Sequence, residues 1–155
     1  MKYAKNKTAE FKVVALREAA LPESMMVLDT PDKAADYYST FVKNSPVYRD
    51  DVEQMVVLFL NTRRRCFGFQ VVSTGILDSV LAHPREVFRT AIMNNAHGII
   101  IMHGHPSGES TPSEADIKAT RDLVRAGQLL KIEVLDHVIM GAKRTSLREL
   151  GYFCF

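Results

Sequence analysis

The chain has 155 residues, 46% of them apolar and 25% charged, a balance that suits one folded domain and excludes an intrinsically disordered tract. Twenty Lys+Arg against eighteen Asp+Glu leave a formal charge of +2, too mild to mark a nucleic-acid or membrane binder by charge alone. No apolar run approaches the roughly 18 residues of a membrane span, the Lys-rich start MKYAKNKTAEFK lacks the apolar core of a secretory signal, and Cys66 and Cys154 make neither a disulfide framework nor a CxxC knuckle, so a reducing, cytoplasmic compartment is expected.

In chain order, Phe11 to Leu16 (FKVVAL) reads as a short strand. A helix is expected from Pro31 to Lys43, with Thr30 as N-cap, Pro31 at the first helical position, and Ala34, Tyr37, Tyr38, Phe41 and Val42 at helical spacing. Residues 1–47 are read as an N-terminal extension and 48–155 as the main domain. Gln54 to Leu60 (QMVVLFL) is an unbroken, β-branched apolar run, the mark of a buried central strand. Asn61 to Arg65 is a polar turn, and Cys66 to Thr74 is the hairpin partner. Pro84 to Ala96 reads as a helix closed by Gly98, Ile99 to Met102 as a buried strand, and Pro112 to Ala126 as a helix ended by Gly127. Ile132 to Met140 reads as a long strand and Ser146 to Leu150 as a final helical turn. A hairpin followed by helix, strand, helix and strand gives an α/β (α+β) domain, a mixed sheet with helices on its faces.

The chemistry is concentrated in IIIMHGHPSGESTPSEAD, residues 99 to 116. The strand IIIM delivers His103 and His105 just past its C-terminal end, and residues i and i+2 of an extended chain point the same way, so both imidazoles can converge on one ion. Gly104 between them leaves room for close approach, and Pro106 ends any sheet pairing. Thr111-Pro-Ser-Glu114 reads as a helix start, with Thr111 as N-cap and Glu114 closing a capping box. Ser113 and Asp116 then share a face of the first turn, and Asp116 can reach back to the histidines. Two His and one carboxylate leave a fourth tetrahedral position for water, the arrangement of a hydrolytic zinc site. An HxH pair alone is common; Ser and Asp at these offsets on a strand–loop–helix frame make the pattern specific.

The pattern His103-x-His105, seven residues, Ser113, two residues, Asp116 resembles the JAMM motif of the MPN+/JAB metalloprotease fold. The wider wording, HPREVFRTAI, HGHPSGESTPSEAD and VLDHVIMG, resembles the C-terminal domain of the RadC family over residues 48 to 150. The resemblance implies a JAB-like mixed, curved sheet flanked by helices with the zinc site at its edge. It also implies a zinc-dependent hydrolase of peptide or isopeptide bonds holding one Zn2+ per chain. His103, His105 and Asp116 would be the ligands, with Ser113 a hydrogen-bond donor near the attacking water and the oxyanion. The family's general base is an upstream glutamate. Of Glu53, Glu86, Glu109 and Glu114, the last is assigned to a capping box, Glu109 to a solvated loop and Glu86 to a first helical turn favoured by the dipole. Glu53 opens the apolar strand at the rim of the sheet and is therefore the expected base.

RadC chains usually begin with a helix-hairpin-helix DNA-binding module; residues 1 to 47 are too short for one, so a DNA role is not expected to carry over. The partner expected is a peptide or protein substrate, with nucleic acid only weakly supported and no membrane; the oligomeric state is not legible. Two alternatives stand beside the hydrolase, a RadC-like DNA-associated factor and a non-catalytic interaction module. Arg63, Arg64 and Arg65 at the hairpin tip read as a solvated turn, with contact to phosphate or an acidic partner the sharper reading. His83 reads as a cap or loop residue and His137 as a hydrogen-bonded core residue, with support of the metal ligands from behind as its less favoured reading.

Overall fold

The computed structural model describes residues 22–75 and 83–154, together with 9–12, 14, 15, 18 and 20. The apolar run expected as a central strand is β1 (Glu53–Leu60), buried from its second residue onward. It turns through Asn61–Arg65 into β2 (Cys66–Gly75), its antiparallel partner. On its other edge β1 pairs antiparallel with β3 (Gly98–Gly104), which runs parallel to β4 (Glu133–Met140); β4 pairs antiparallel with β5 (Arg144–Ser146). The order β2-β1-β3-β4-β5 is an open mixed sheet.

Three helices cover it. The first, α1 (Pro31–Tyr37), starts as its sequence dictates: Thr30 is extended, its hydroxyl accepts the Lys33 N–H at 3.2 Å, and Pro31 occupies a position with no amide to satisfy. It continues as a wider π-type turn over Tyr38–Val42, closed by Lys43 N–H to the Tyr38 carbonyl at 3.0 Å. Leu28, Ala34, Tyr37, Tyr38 and Val42 pack with Val56, Leu58, Ile100, Met102 and Val138 on one face of the sheet. The opposite face, Val57, Phe59, Ile99, Ile101 and Val134, is covered by Val87, Phe88 and Ala91 of α2 (Pro84–Met93) and by Leu123 and Val124 of α3 (Glu114–Leu130). Strands that lie between two layers of side chains are apolar in succession rather than alternately, which is why QMVVLFL and IIIM carry no alternation.

Several boundaries differ from the sequence reading. The expected strand 11–16 is absent at its described residues 11, 12, 14 and 15; residues 13 and 16 lie outside the described residues. Helix α2 ends at Met93 rather than Ala96, because Asn95 turns left-handed at φ 52°, and Gly98 opens β3 instead of capping the helix. Helix α3 runs through Gly127 and stops at Lys131, φ 59°. A Cβ at Gly127 would stand 2.4 Å from the Ile132 carbonyl oxygen, so this glycine permits helix and chain to touch and does not end the helix. The segment expected as a final helical turn begins as β5, with turns from residue 147 onward. Arg148 lays its guanidinium along the outer edge of β4, hydrogen-bonding the Leu135 carbonyl, and stacks over Phe153 at 4.8 Å. Phe153 packs against the core, while Phe155 lies outside the described residues.

Candidate metal centre

Topology assembles the site. Because β1 and β3 are antiparallel, the start of β1 and the end of β3 lie at the same end of the sheet; Met55 faces His103 and Gln54 faces Gly104 in register. Glu53, one residue earlier, comes to the level of His105. The Gln54 side chain, almost fully buried, anchors this rim: it accepts the Arg49 N–H at 2.7 Å and donates to the Val47 carbonyl and to Thr74 Oγ1. The Glu53 carboxylate lies 3.6 Å from His103 Nε2, and one ligand atom each from Glu53, His103 and His105 fall within 4.8 Å of one another.

Asp116 meets the same two rings, 3.1 Å from His103 Nδ1 and 3.9 Å from His105 Nε2. The structure therefore brings all five sequence-derived residues, Glu53, His103, His105, Ser113 and Asp116, to one place. The helix start that carries Asp116 is not the one expected. Ser113, not Thr111, is the N-cap, and the capping box closes with Asp116, not Glu114. The Ser113 hydroxyl accepts the Asp116 N–H at 3.1 Å and donates to Asp116 Oδ2 at 2.8 Å, and the Ser113 N–H donates to the same oxygen. Thr111 is turned away, its N–H and hydroxyl both donating to the Glu109 carboxylate. Of the other glutamates weighed as bases, Glu109 is thus committed to Thr111, and Glu86 accepts the His83 N–H at the start of α2.

The donor set fits a cation. His105 Nδ1 lies 2.7 Å from the Glu109 carbonyl, and a carbonyl only accepts; Nδ1 therefore carries a proton, and in the neutral ring Nε2 is the lone pair that faces Asp116. A ligating histidine is typically set in this way, with its second nitrogen donating to a carbonyl. His103 Nδ1 is buried and close to Asp116 Oδ1, yet makes no directed hydrogen bond, so ring nitrogen and carboxylate oxygen face each other as two lone-pair ligands that one cation could take. Burial works against ionisation of Asp116, but the contact with His103 and the hydrogen bonds from Ser113 outweigh it and hold the carboxyl well below the usual carboxylate range. An ionised Asp, a directed imidazole lone pair and a second unsatisfied imidazole suit a borderline cation such as zinc.

The loop from Pro106 to Pro112 is pinned to the sheet. The His105 N–H donates to the Met140 carbonyl at 2.8 Å, and the Ala142 N–H donates to the Gly108 carbonyl at 2.7 Å. Beneath the site lies a second layer, in which the sequence pointed to His137 as a core residue but not to Thr120. Thr120 Oγ1 donates to the Asp116 backbone carbonyl at 2.7 Å and lies 2.6 Å from Nδ1 of His137, which is fully buried. The His137 ring lies nearly parallel to that of His103, centroids 6.0 Å apart. Full burial pushes His137 down to about 3, with His103 adding to the effect and Asp116 opposing it. Two signals were available: Thr120 is i+4 from Asp116 on the helix, and His137 lies on the next strand, which the α3 crossover returns beside β3.

A mixed α/β sheet with a two-histidine, two-carboxylate centre at its open end is the class that fold and site define. A family model described as RadC-like JAB domain matches residues 28–152, and the chain belongs to that family. A UPF0758 protein of Staphylococcus carnosus (strain TM300) is 42% identical over 132 residues, 84% of this chain and 56% of the relative. A UPF0758 protein of Moorella thermoacetica is 53% identical over 100 residues, 64% of this chain and 44% of the relative. The UPF0758 protein tlr1707 of Thermosynechococcus vestitus is 41% identical over 130 residues, 83% and 50% respectively. The chain thus spans about half the length of the relatives it matches. The JAB-like fold implied by the motif is the fold observed. No helix among the described residues is long and apolar enough to cross a membrane.

Proposed function

We propose that this domain is a JAMM-type hydrolase of peptide or isopeptide bonds, with one zinc held by His103, His105 and Asp116. The observation that carries the reading is the convergence on two histidines, His103 buried and His105 half-buried, of a carboxylate from each side of the chain: Asp116 from α3, locked by Ser113, and Glu53 from the rim of β1. Zinc bound there supplies Lewis acidity to a water and to the scissile carbonyl. Glu53, fixed by the strand and by its anchored neighbour Gln54, is placed to take the proton of the attacking water and return it to the departing amine, the two halves of general acid–base catalysis. The Nδ1–H of His105, held by the Glu109 carbonyl, keeps Nε2 directed inward throughout. Ser113 acts on Asp116 directly, through its hydroxyl and its amide. The two free thiols, Cys66 buried and Cys154 exposed, suit a reducing compartment.

The test is a pair of variants on the zinc-loaded protein, read on a pool of peptide and isopeptide-linked substrates. Glu53→Gln is expected to retain zinc and fold and to lose about 10²–10⁴ in rate. Glu86→Gln is expected to keep the rate. Equal turnover of Glu53→Gln and wild type would remove Glu53 from the mechanism.

A further inference from the structure

We propose that His137 is a positioning residue of the metal centre: it ties the helix end bearing Asp116 to the strand bearing His103 through Thr120 and through its own ring face. Thr120 has one hydroxyl proton, and that proton goes to the Asp116 carbonyl, which only accepts. At the 2.6 Å contact Thr120 Oγ1 must therefore accept, so His137 donates Nδ1–H and is the Nδ1-protonated tautomer. The path runs from β4 through His137 and Thr120 to the backbone of Asp116 at the first turn of α3. The same ring lies under His103, two residues along β3 from its register partner Ile101. Ligands from a strand end and a helix end have no covalent reason to keep a fixed separation. A buried hydrogen bond and a ring contact, both from one residue of the strand between them, supply that reason. The titratable groups facing this ring are His103, His105 and Asp116 themselves; the neighbouring Asp136 carboxylate is turned to the His137 N–H, Ser146 Oγ and the Arg148 N–H.

The proposal rests on the reading of the centre as a metal site, and its test separates the two. Co2+ and Zn2+ affinities are measured by titration against a chelator, with the Co2+ absorption bands as signature. The variants are His137→Leu, His137→Asn, Thr120→Val, Thr120→Ser and the double variant His137→Leu/Thr120→Val. Leu and Val at these positions are expected to weaken metal binding about 10–100-fold, the usual cost of removing an outer partner, and to alter the Co2+ bands. Asn, which keeps an N–H donor near the Nδ1 position, and Ser, which keeps the hydroxyl, are expected to stay close to wild type. The double variant buries no unpaired group and keeps the fold even where a single one does not; it is expected to bind no more weakly than the weaker single variant. In the metal-free protein, the 15N shifts of His137 report the Nδ1–H tautomer. Wild-type Co2+ bands in His137→Leu and Thr120→Val, equal losses in Leu and Asn, or an Nε2–H tautomer would overturn the proposal while leaving the metal site standing. Failure of the wild type to bind either metal would overturn both.

Discussion

Replacing Gly104, the residue between the two histidines in sequence, by alanine puts a methyl group on the opposite face of the strand, 2.8 Å from the hydroxyl oxygen of Tyr38. Tyr38 has no room to retreat: it is fully buried under the sheet, with Tyr48 packed edge-on at 5.8 Å. Overpacking of this kind costs about 1–3 kcal/mol, reduced by the smaller unfolded-state entropy of alanine, about 0.5–1 kcal/mol. The net expectation is a loss of about 1–2 kcal/mol. The clash is with one atom, so it can be removed. The buried Tyr38 hydroxyl has only Tyr48 near it and makes no well-directed hydrogen bond, and a poorly paired buried hydroxyl is a cost to the native state. Tyr38→Phe is accordingly expected to be neutral or mildly stabilising. In that background the alanine methyl meets only ring carbon and the Tyr48 hydroxyl at ordinary contact, 4.0 and 3.9 Å, and Gly104→Ala should cost nothing. Denaturant unfolding of the four proteins of this cycle, with metal affinity in parallel, reads both effects; the single Gly104→Ala variant should also bind zinc more weakly, because its strain falls on the peptide joining His103 to His105. A Gly104→Ala variant as stable as wild type, or one destabilised equally with and without the Tyr38 hydroxyl, would refute the reasoning.

Two further outcomes follow from the same geometry. A Cβ at Gly141 would stand 2.4 Å from the Gly108 carbonyl oxygen, a backbone atom that cannot swing aside, so Gly141→Ala should release the loop between His105 and Ser113 and cost about 1–3 kcal/mol, read as a lower denaturation midpoint and faster amide exchange at residues 106–112. Ser113→Ala removes the N-cap of α3 and one of the two Ser113 donors to Asp116 Oδ2, and should cost about 0.5–2 kcal/mol in stability and weaken zinc binding, whereas Ser113→Thr should restore both; an unchanged midpoint would deny the capping role.

Both central strands were legible because burial on two faces writes an unbroken apolar run, and the HxH, Ser and Asp offsets were legible because a strand end and a helix start have fixed periodicities. What the sequence left open was decided by contacts between distant segments. Thr111-x-x-Glu114 and Ser113-x-x-Asp116 both spell a capping box; the second wins because Glu109 engages Thr111 and because Asp116 is drawn between Ser113 and the histidines. Gly127 has the look of a helix stop, but its role is close approach to Ile132, a contact not encoded by neighbours in the chain. The three residues of β5 are too short to carry a pattern. His137 is one apolar-strand histidine among many until α3 places Thr120 against it.

The central claim is that His103, His105 and Asp116 hold one zinc. Metal analysis after reconstitution with zinc and exhaustive dialysis at neutral pH tests it directly, with unfolding followed by circular dichroism on the same samples. The wild type is expected to retain about one zinc per chain, and the His103→Ala/His105→Ala double variant almost none while keeping its helices and strands, as a three-residue site on a sheet rim requires. Near-stoichiometric zinc in the folded double variant, or no uptake by the wild type from excess zinc, would contradict the account.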